Sequence, residues 1–187
     1  MVAKSSRPNV FEQLEAFDSA SHNLNAIIDT PKGSRNKYKY KEKQGLFALH
    51  SVLPAGSVFP FNFGYIPSTL AEDGDPVDVL VLLDEEAFTG CLVPSRLIGV
   101  IEAEQTEHGK TERNDRLIAV AVASPHHQAI HSLDQLDKTI VDEIEHFFIS
   151  YTSIREKQFK PIRRADAEQA KHLVQEGMER FQQSHSS

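Results

Sequence analysis

The chain has 187 residues, 40% of them hydrophobic, and a formal net charge of −7. This length and apolar content suit a single domain spanning residues 1–187 with a sizeable core, while scattered bases in an acidic chain argue against a nucleic-acid partner. No window is apolar for long enough to span a bilayer, residues 1–6 lead into no apolar signal core, and the lone Cys91 excludes an internal disulfide, so a soluble cytoplasmic protein with no membrane partner is expected.

In chain order, Phe11, Leu14 and Phe17 recur at helical spacing and predict an amphipathic helix over residues 9–23. From 26 to 122, short apolar runs alternate with turn signals such as Thr30-Pro31-Lys32-Gly33, Leu53-Pro54-Ala55-Gly56 and Thr89-Gly90. That rhythm predicts a small antiparallel barrel rather than alternating βαβ units. Within it, residues 32–43 carry Lys32, Arg35, Lys37, Lys39, Lys41 and Lys43 against one acid, Glu42. Period two places Lys37, Lys39 and Lys41 on one strand face, which is either a solubilising edge or a basic wall for an anionic substrate. Residues 104–115 read as a polar loop between two strands. Ser132 and Gln135 resemble a capping box ahead of a helix whose stripe is Leu136, Ile140, Ile144, Phe147, Phe148 and Tyr151. A second helix is predicted over 166–182, presenting Ala170, Leu173, Val174, Gly177, Met178 and Phe181.

The densest chemistry is Glu72-Asp73-Gly74-Asp75-Pro76-Val77-Asp78, which runs directly into Val79-Leu80-Val81-Leu82-Leu83. Asp73 and Asp75 are two apart and leave the same face of an extended chain. Gly74 permits a turn that converges them, and Pro76 fixes the chain before Asp78. Crowded carboxylates beside a hydrophobic strand call for a neutralising cation, and oxygen-only ligands suit Mg²⁺, with Mn²⁺ as the alternative. A solvated acidic turn is the plainer reading, weakened by the third Asp and the proline. A calcium loop fails on position, since its sixth residue is Asp78 rather than Gly. The nine histidines lack metalloprotease spacing, His126, His127 and His131 lie in a turn region, and there is neither a Gly-x-Ser-x-Gly elbow nor a Walker loop. Cys91 sits in an apolar stretch and reads as an inert thiol.

Asp73-Gly74-Asp75-Pro76-Val77-Asp78, running into an apolar strand, resembles the signature of the soluble family I inorganic pyrophosphatases. Phe59-Pro60-Phe61-Asn62-Phe63-Gly64-Tyr65-Ile66 resembles that family's upstream aromatic segment, and the likeness covers roughly residues 24 to 160. It implies a five-stranded OB-like antiparallel barrel flanked by helices, commonly assembled as a homo-oligomer. It also implies Mg²⁺-dependent hydrolysis of pyrophosphate, with Asp73, Asp75, Asp78 and Asp29 toward metal and Asp75 as the carboxylate that takes the proton of the attacking water. Lys37, Arg116 and Tyr151 fall at its phosphate-holding positions. The resemblance breaks at the rim: Lys39 replaces a Glu, Ser51 an Arg, Phe59 and Phe63 two tyrosines, Asn114 an Asp and Thr152 a Lys. Either the acid lost at Asn114 comes from a neighbour, Asp115 or Glu112, with Glu107 as a further candidate, or the site holds fewer ions and works more slowly. Rival expectations keep the fold but act on another phosphoanhydride or phosphate ester, or bind phosphate compounds without turnover as a regulatory or scaffold protein.

Overall fold

The computed structural model describes residues 14–186. Five strands close into a ring, in the spatial order β1 (Leu24–Thr30), β4 (Asn62–Tyr65), β5 (Asp78–Leu82), β8 (Arg116–Ala121) and β6 (Leu92–Glu107), with β6 returning to β1. The barrel is therefore present, but it is not wholly antiparallel, because β5 and β8 run parallel. Up-and-down alternation cannot close on an odd number of strands, so a five-membered ring needs one parallel pair. The chain supplies it by passing through β6 first, so that β8 enters the ring between β5 and β6.

Both faces of β5 and β8 are buried, which is why they read as continuous apolar runs. Period two divides them. Leu80, Leu82, Ile118 and Val120 join a cluster with Phe59, Phe63 and Phe148, whereas Val79, Val81, Leu117 and Ala119 join another with Ile28, Ala170 and Val174. Strand β6 is 16 residues long and serves β1, β8, β7 (Lys110–Arg113) and β9 (Gln158–Ala165) in turn. Its register slips between Leu97 and Gly99, and a Cβ at Gly99 would lie 2.5 Å from Leu133 Cγ and 2.6 Å from Ala165 O. Only glycine fits that bend.

Helix α1 (Lys138–Ser153) buries Val141, Ile144, Phe148 and Thr152 and begins at Asp137, whose carboxylate accepts from Thr139 N at 2.8 Å. The capping-box residues sit earlier, on a 3₁₀ turn at Leu133–Gln135, where Gln135 Oε1 accepts from Ser132 N at 3.2 Å. Helix α2 (Ala167–His185) buries Ala170, Val174 and Gly177 and is capped by Asp166. No helix among the described residues is long and apolar enough to cross a membrane.

Two expectations change. Of the helix predicted over 9–23, residues 9–13 lie outside the described residues, and 14–23 form a turn. Asp18 Oδ1 accepts from both the amide and the hydroxyl of Ser21 at 2.7 Å, and Phe17 bridges Leu24. Side-chain bonding to the local backbone outcompetes the apolar spacing there. The polar loop 104–115 is a hairpin instead, since β6 continues to Glu107 and turns at His108-Gly109 into β7.

Candidate active site

The turn before β5 carries the aspartates. Gly74 has φ +84°, Ala71 N donates to Asp75 O at 2.7 Å, and Asp75 N donates to Asp73 Oδ1 at 3.1 Å. Thr69 ties the turn to the barrel by accepting from Val77 N at 3.0 Å while donating to Ile66 O at 2.6 Å. The result places Asp73, Asp75 and Asp78 along one cleft of about 710 Å³. Partial withdrawal from water pushes the Asp73 carboxyl up, against the lowering pull of the Asp75 amide, and the charges of Asp78 and Asp75 push the same way as burial.

Opposite stands the hairpin of β2 (Asn36–Lys41) and β3 (Leu46–Val52), a separate two-stranded sheet. Lys37, Lys39 and Lys41 all line the cleft, which is the placement that a basic wall requires. Lys39 Nζ lies 2.6 and 2.7 Å from the two oxygens of Asp75. Lys37 Nζ lies 4.9 Å from the Phe63 ring centroid and 5.7 Å from that of Tyr151. Arg116 is buried at the start of β8, donates to Asp78 Oδ2 at 2.7 Å and to Asn114 Oδ1, and stacks 4.7 Å over Phe148. The Tyr151 hydroxyl is buried with no hydrogen-bond partner among the described residues. Phe59 and Phe63 are buried beneath this wall, with Phe59 5.6 Å from the Tyr151 ring, in an apolar setting where a hydroxyl would need a partner.

Asp29 also reaches the cleft from β1, 7% exposed, with Oδ1 unpartnered. Burial, opposed by the nearby charge of Lys37 and reinforced by Asp78, pushes its carboxyl up to about 7. The folded chain therefore takes up a proton that the unfolded chain releases near its ordinary value. Stability then falls as pH rises between about 4 and 7. In chelator, Asp29→Asn should flatten that slope and melt higher than the wild type above neutrality, with little difference in mild acid. Identical melting profiles for the two proteins would show that the carboxyl is not held protonated.

Asp115 does not line this cleft. In the link between β7 and β8, Asn114 lines the cleft, as does Arg116 after it, whereas Asp115 accepts from Ala103 N at 2.9 Å and from Arg113 Nη2 at 3.1 Å. The expected metal ligand at Asp115 is thus engaged with Ala103 and Arg113, beside a smaller cavity that it shares with Asp73, Asp78 and Asn114. Glu112 does line the cleft, paired with Lys110. Glu112→Gln should raise the Mg²⁺ concentration for half-maximal activity severalfold. Asp115→Asn should leave that concentration unmoved and cost about 1 kcal/mol of stability through the lost ion pair. Titration of activity with Mg²⁺ and a denaturant melt separate the two effects.

Two cations were not anticipated. Arg155 lies 4.6 Å over the Tyr151 ring and donates to Ser51 Oγ, and Lys157 Nζ lies 2.6 Å from Glu107; both line the cleft. Following a helix, such residues read as ordinary complements to its C-terminal dipole. Elsewhere, His126 and His127 are spent on Asp84 at 2.8 and 3.3 Å, and Cys91 is a half-buried thiol pushed up by burial. Among the described residues no three acid, imidazole or thiol groups close on a single point. The aspartates instead ring the cleft, with Asp75 held by Lys39 and Asp78 by Arg116. These two pairs mark where positive charge is wanted.

A closed five-stranded ring sets an acidic turn against a basic strand across one cleft, a charge arrangement suited to a phosphate compound. The model of the family "Inorganic pyrophosphatase" matches residues 26–182. The inorganic pyrophosphatase of Halalkalibacterium halodurans is 37% identical over 158 residues, covering 84% of this chain and 94% of that one. The crystal structure of inorganic pyrophosphatase from Thermus thermophilus superposes with TM-score 0.84 at 30% identity, covering 92% of this chain and 98% of that one. That of an inorganic pyrophosphatase from Neisseria gonorrhoeae gives 0.82 at 29%, with the same coverage. The chain belongs to the inorganic pyrophosphatase family, whose members are hydrolases acting on phosphoric anhydrides.

Proposed function

We propose that the chain hydrolyses inorganic pyrophosphate to two phosphates in a divalent-metal-dependent reaction, as a single-domain cytoplasmic protein. The observation that carries this reading is the placement of Asp73, Asp75 and Asp78 across one cleft from Lys37, Arg116 and Tyr151 in a chain of this family. The donors fit a hard cation: all are oxygens, and Asp29 keeps a buried unpartnered one. Asp73, Asp75 and Asp78, with Asp29 and Glu112 beside them, would hold Mg²⁺, and Mn²⁺ suits the same set less strictly. Bound there, the ion supplies Lewis-acid charge at the phosphate oxygens and lowers the pKa of water.

The rest falls to the chain's own groups. Asp75 stands exposed to solvent at the cleft, where it can accept the proton of the attacking water once Lys39 is displaced from it. Lys37 and the unpartnered Tyr151 hydroxyl present donors to phosphate oxygens, and Arg116, fixed by Asp78 and Phe148, offers its guanidinium to the leaving phosphate. Self-association is supported by the exposed apolar residues Leu46, Leu49 and Val52 on β3, 66%, 58% and 52% accessible.

The test is phosphate release from pyrophosphate, nucleotides and sugar phosphates, each with and without Mg²⁺. Mg²⁺-dependent release from pyrophosphate above the others is expected. Preference for an ester or another anhydride would move the same site to a different substrate, and calorimetric binding without turnover across several metals would make it a phosphate-binding regulator.

A further inference from the structure

We infer that Arg155 is a substrate-binding residue, which with Lys37 and the Tyr151 hydroxyl grips the phosphate group that the aspartate side of the cleft does not hold. The inference rests on the reading of this cleft as a pyrophosphate site and assigns one of its phosphate contacts.

The backbone aims Arg155 inward. As α1 ends, Arg155 N donates to Thr152 O at 2.9 Å, Lys157 N donates to the same carbonyl at 3.1 Å, and Glu156 takes φ +58°. This tight turn reverses the chain into β9 and directs Arg155 across to β3. There its guanidinium lies over Tyr151 and donates to Ser51 Oγ, and Ser51 is the register partner of Lys37. Arg155, Ser51, Lys37 and Tyr151 thus form one group on the basic side of the cleft.

Charge balance separates this group from the rest of the wall. The other half-buried or buried cations of the cleft are each matched to an acid: Lys39 to Asp75, Arg116 to Asp78 and Lys157 to Glu107. Neither Lys37 nor Arg155 forms an ion pair among the described residues, and the carboxyl that Lys37 does act on, Asp29, is the one that burial pushes toward its neutral form. Two like charges over one aromatic ring repel each other, which the ring's attraction for cations offsets, and an anion beside the buried, unpartnered hydroxyl would relieve that repulsion and satisfy the hydroxyl together. The neighbouring His50 imidazole is held below its ordinary value by burial and then by Lys37 and Arg155, as a local positive potential requires. With one donor committed to Ser51, the planar guanidinium keeps N–H groups free in the fork geometry that matches phosphate oxygens.

The experiment measures inorganic phosphate affinity by calorimetry in Mg²⁺, alongside pyrophosphate kinetics, for the wild type, Arg155→Gln, Arg155→Lys and the double variant Arg155→Gln/Ser51→Arg. Loss of one charge-assisted contact should weaken phosphate binding of Arg155→Gln and raise its pyrophosphate KM by roughly tenfold to a hundredfold. The Mg²⁺ requirement should stay unchanged. Arg155→Lys should fall between, and Ser51→Arg should restore most of the loss, because an arginine grown from Ser51 reaches the same place. Phosphate affinity within twofold of the wild type in folded Arg155→Gln would overturn the inference, as would a loss that neither Arg155→Lys nor Ser51→Arg restores, which marks mere packing on Tyr151. Should Arg155→Gln not fold, undiminished phosphate affinity in Arg155→Lys overturns it equally, since the fork is then unused. A wild type that binds phosphate through Arg155 but leaves pyrophosphate intact would remove the proposed activity and keep this assignment.

Discussion

Asp75→Asn should abolish metal-dependent phosphate release, with kcat falling about 10²–10⁴-fold, while the protein stays folded. Asparagine keeps the volume of the side chain and removes its charge, so the site loses an anionic oxygen for the cation and its proton acceptor together. Little structure depends on that charge. Asp75 is solvent-exposed, the turn around it is closed by backbone bonds and by Asp73, and its pair with Lys39 is an exposed one. Such pairs contribute at most about 1 kcal/mol. The check is a phosphate-release assay beside a thermal melt. Hydrolysis near the wild-type rate by a variant with an unchanged melt would remove Asp75 from the chemistry.

How much of this was legible depended on whether the physics was local. The runs Val79–Leu82 and 117–120 announce strands buried on both faces, and the aspartate turn with its following strand is written in contiguous residues. The parallel pairing of those two strands is not, because it follows from closing an odd ring across distant segments. Asp115 shows a finer limit. An acid beside Asn114 looks equivalent in one dimension, yet in the link between β7 and β8 it meets Arg113 and the Ala103 amide instead of lining the cleft. Only the folded course of that link, with Asn114 N bonded to Ala103 O at 2.9 Å, fixes the difference.

Charge at the rim illustrates the same point across the whole chain. Read position by position, Ser51 and Thr152 look like losses of phosphate donors. Thr152 is buried, and although it borders the cleft its hydroxyl donates to Phe148 O at 2.8 Å and is spent on its own helix. Ser51 nevertheless receives the Arg155 guanidinium from 104 residues away. Positive potential in a cleft is a property of where charges end up, and a cation may enter from any element that borders it.

Lys39 gives the sharpest test of that redistribution. Its ammonium lies against both oxygens of Asp75 and therefore competes for the carboxylate with an incoming cation, while adding to the potential that attracts phosphate. Lys39→Glu separates these roles, because it frees Asp75 and changes the charge of the wall by two. Mg²⁺ should bind several times more tightly, by the roughly 1 kcal/mol that an exposed pair contributes. Substrate should bind less well, with the pyrophosphate KM rising about tenfold or more as an attractive contact becomes a repulsive one. Opposite shifts in the two titrations are what a cation poised between metal and phosphate requires. A Lys39→Glu enzyme with unchanged KM and unchanged Mg²⁺ demand would instead make Lys39 a charge that keeps an edge strand soluble, and its contact with Asp75 incidental.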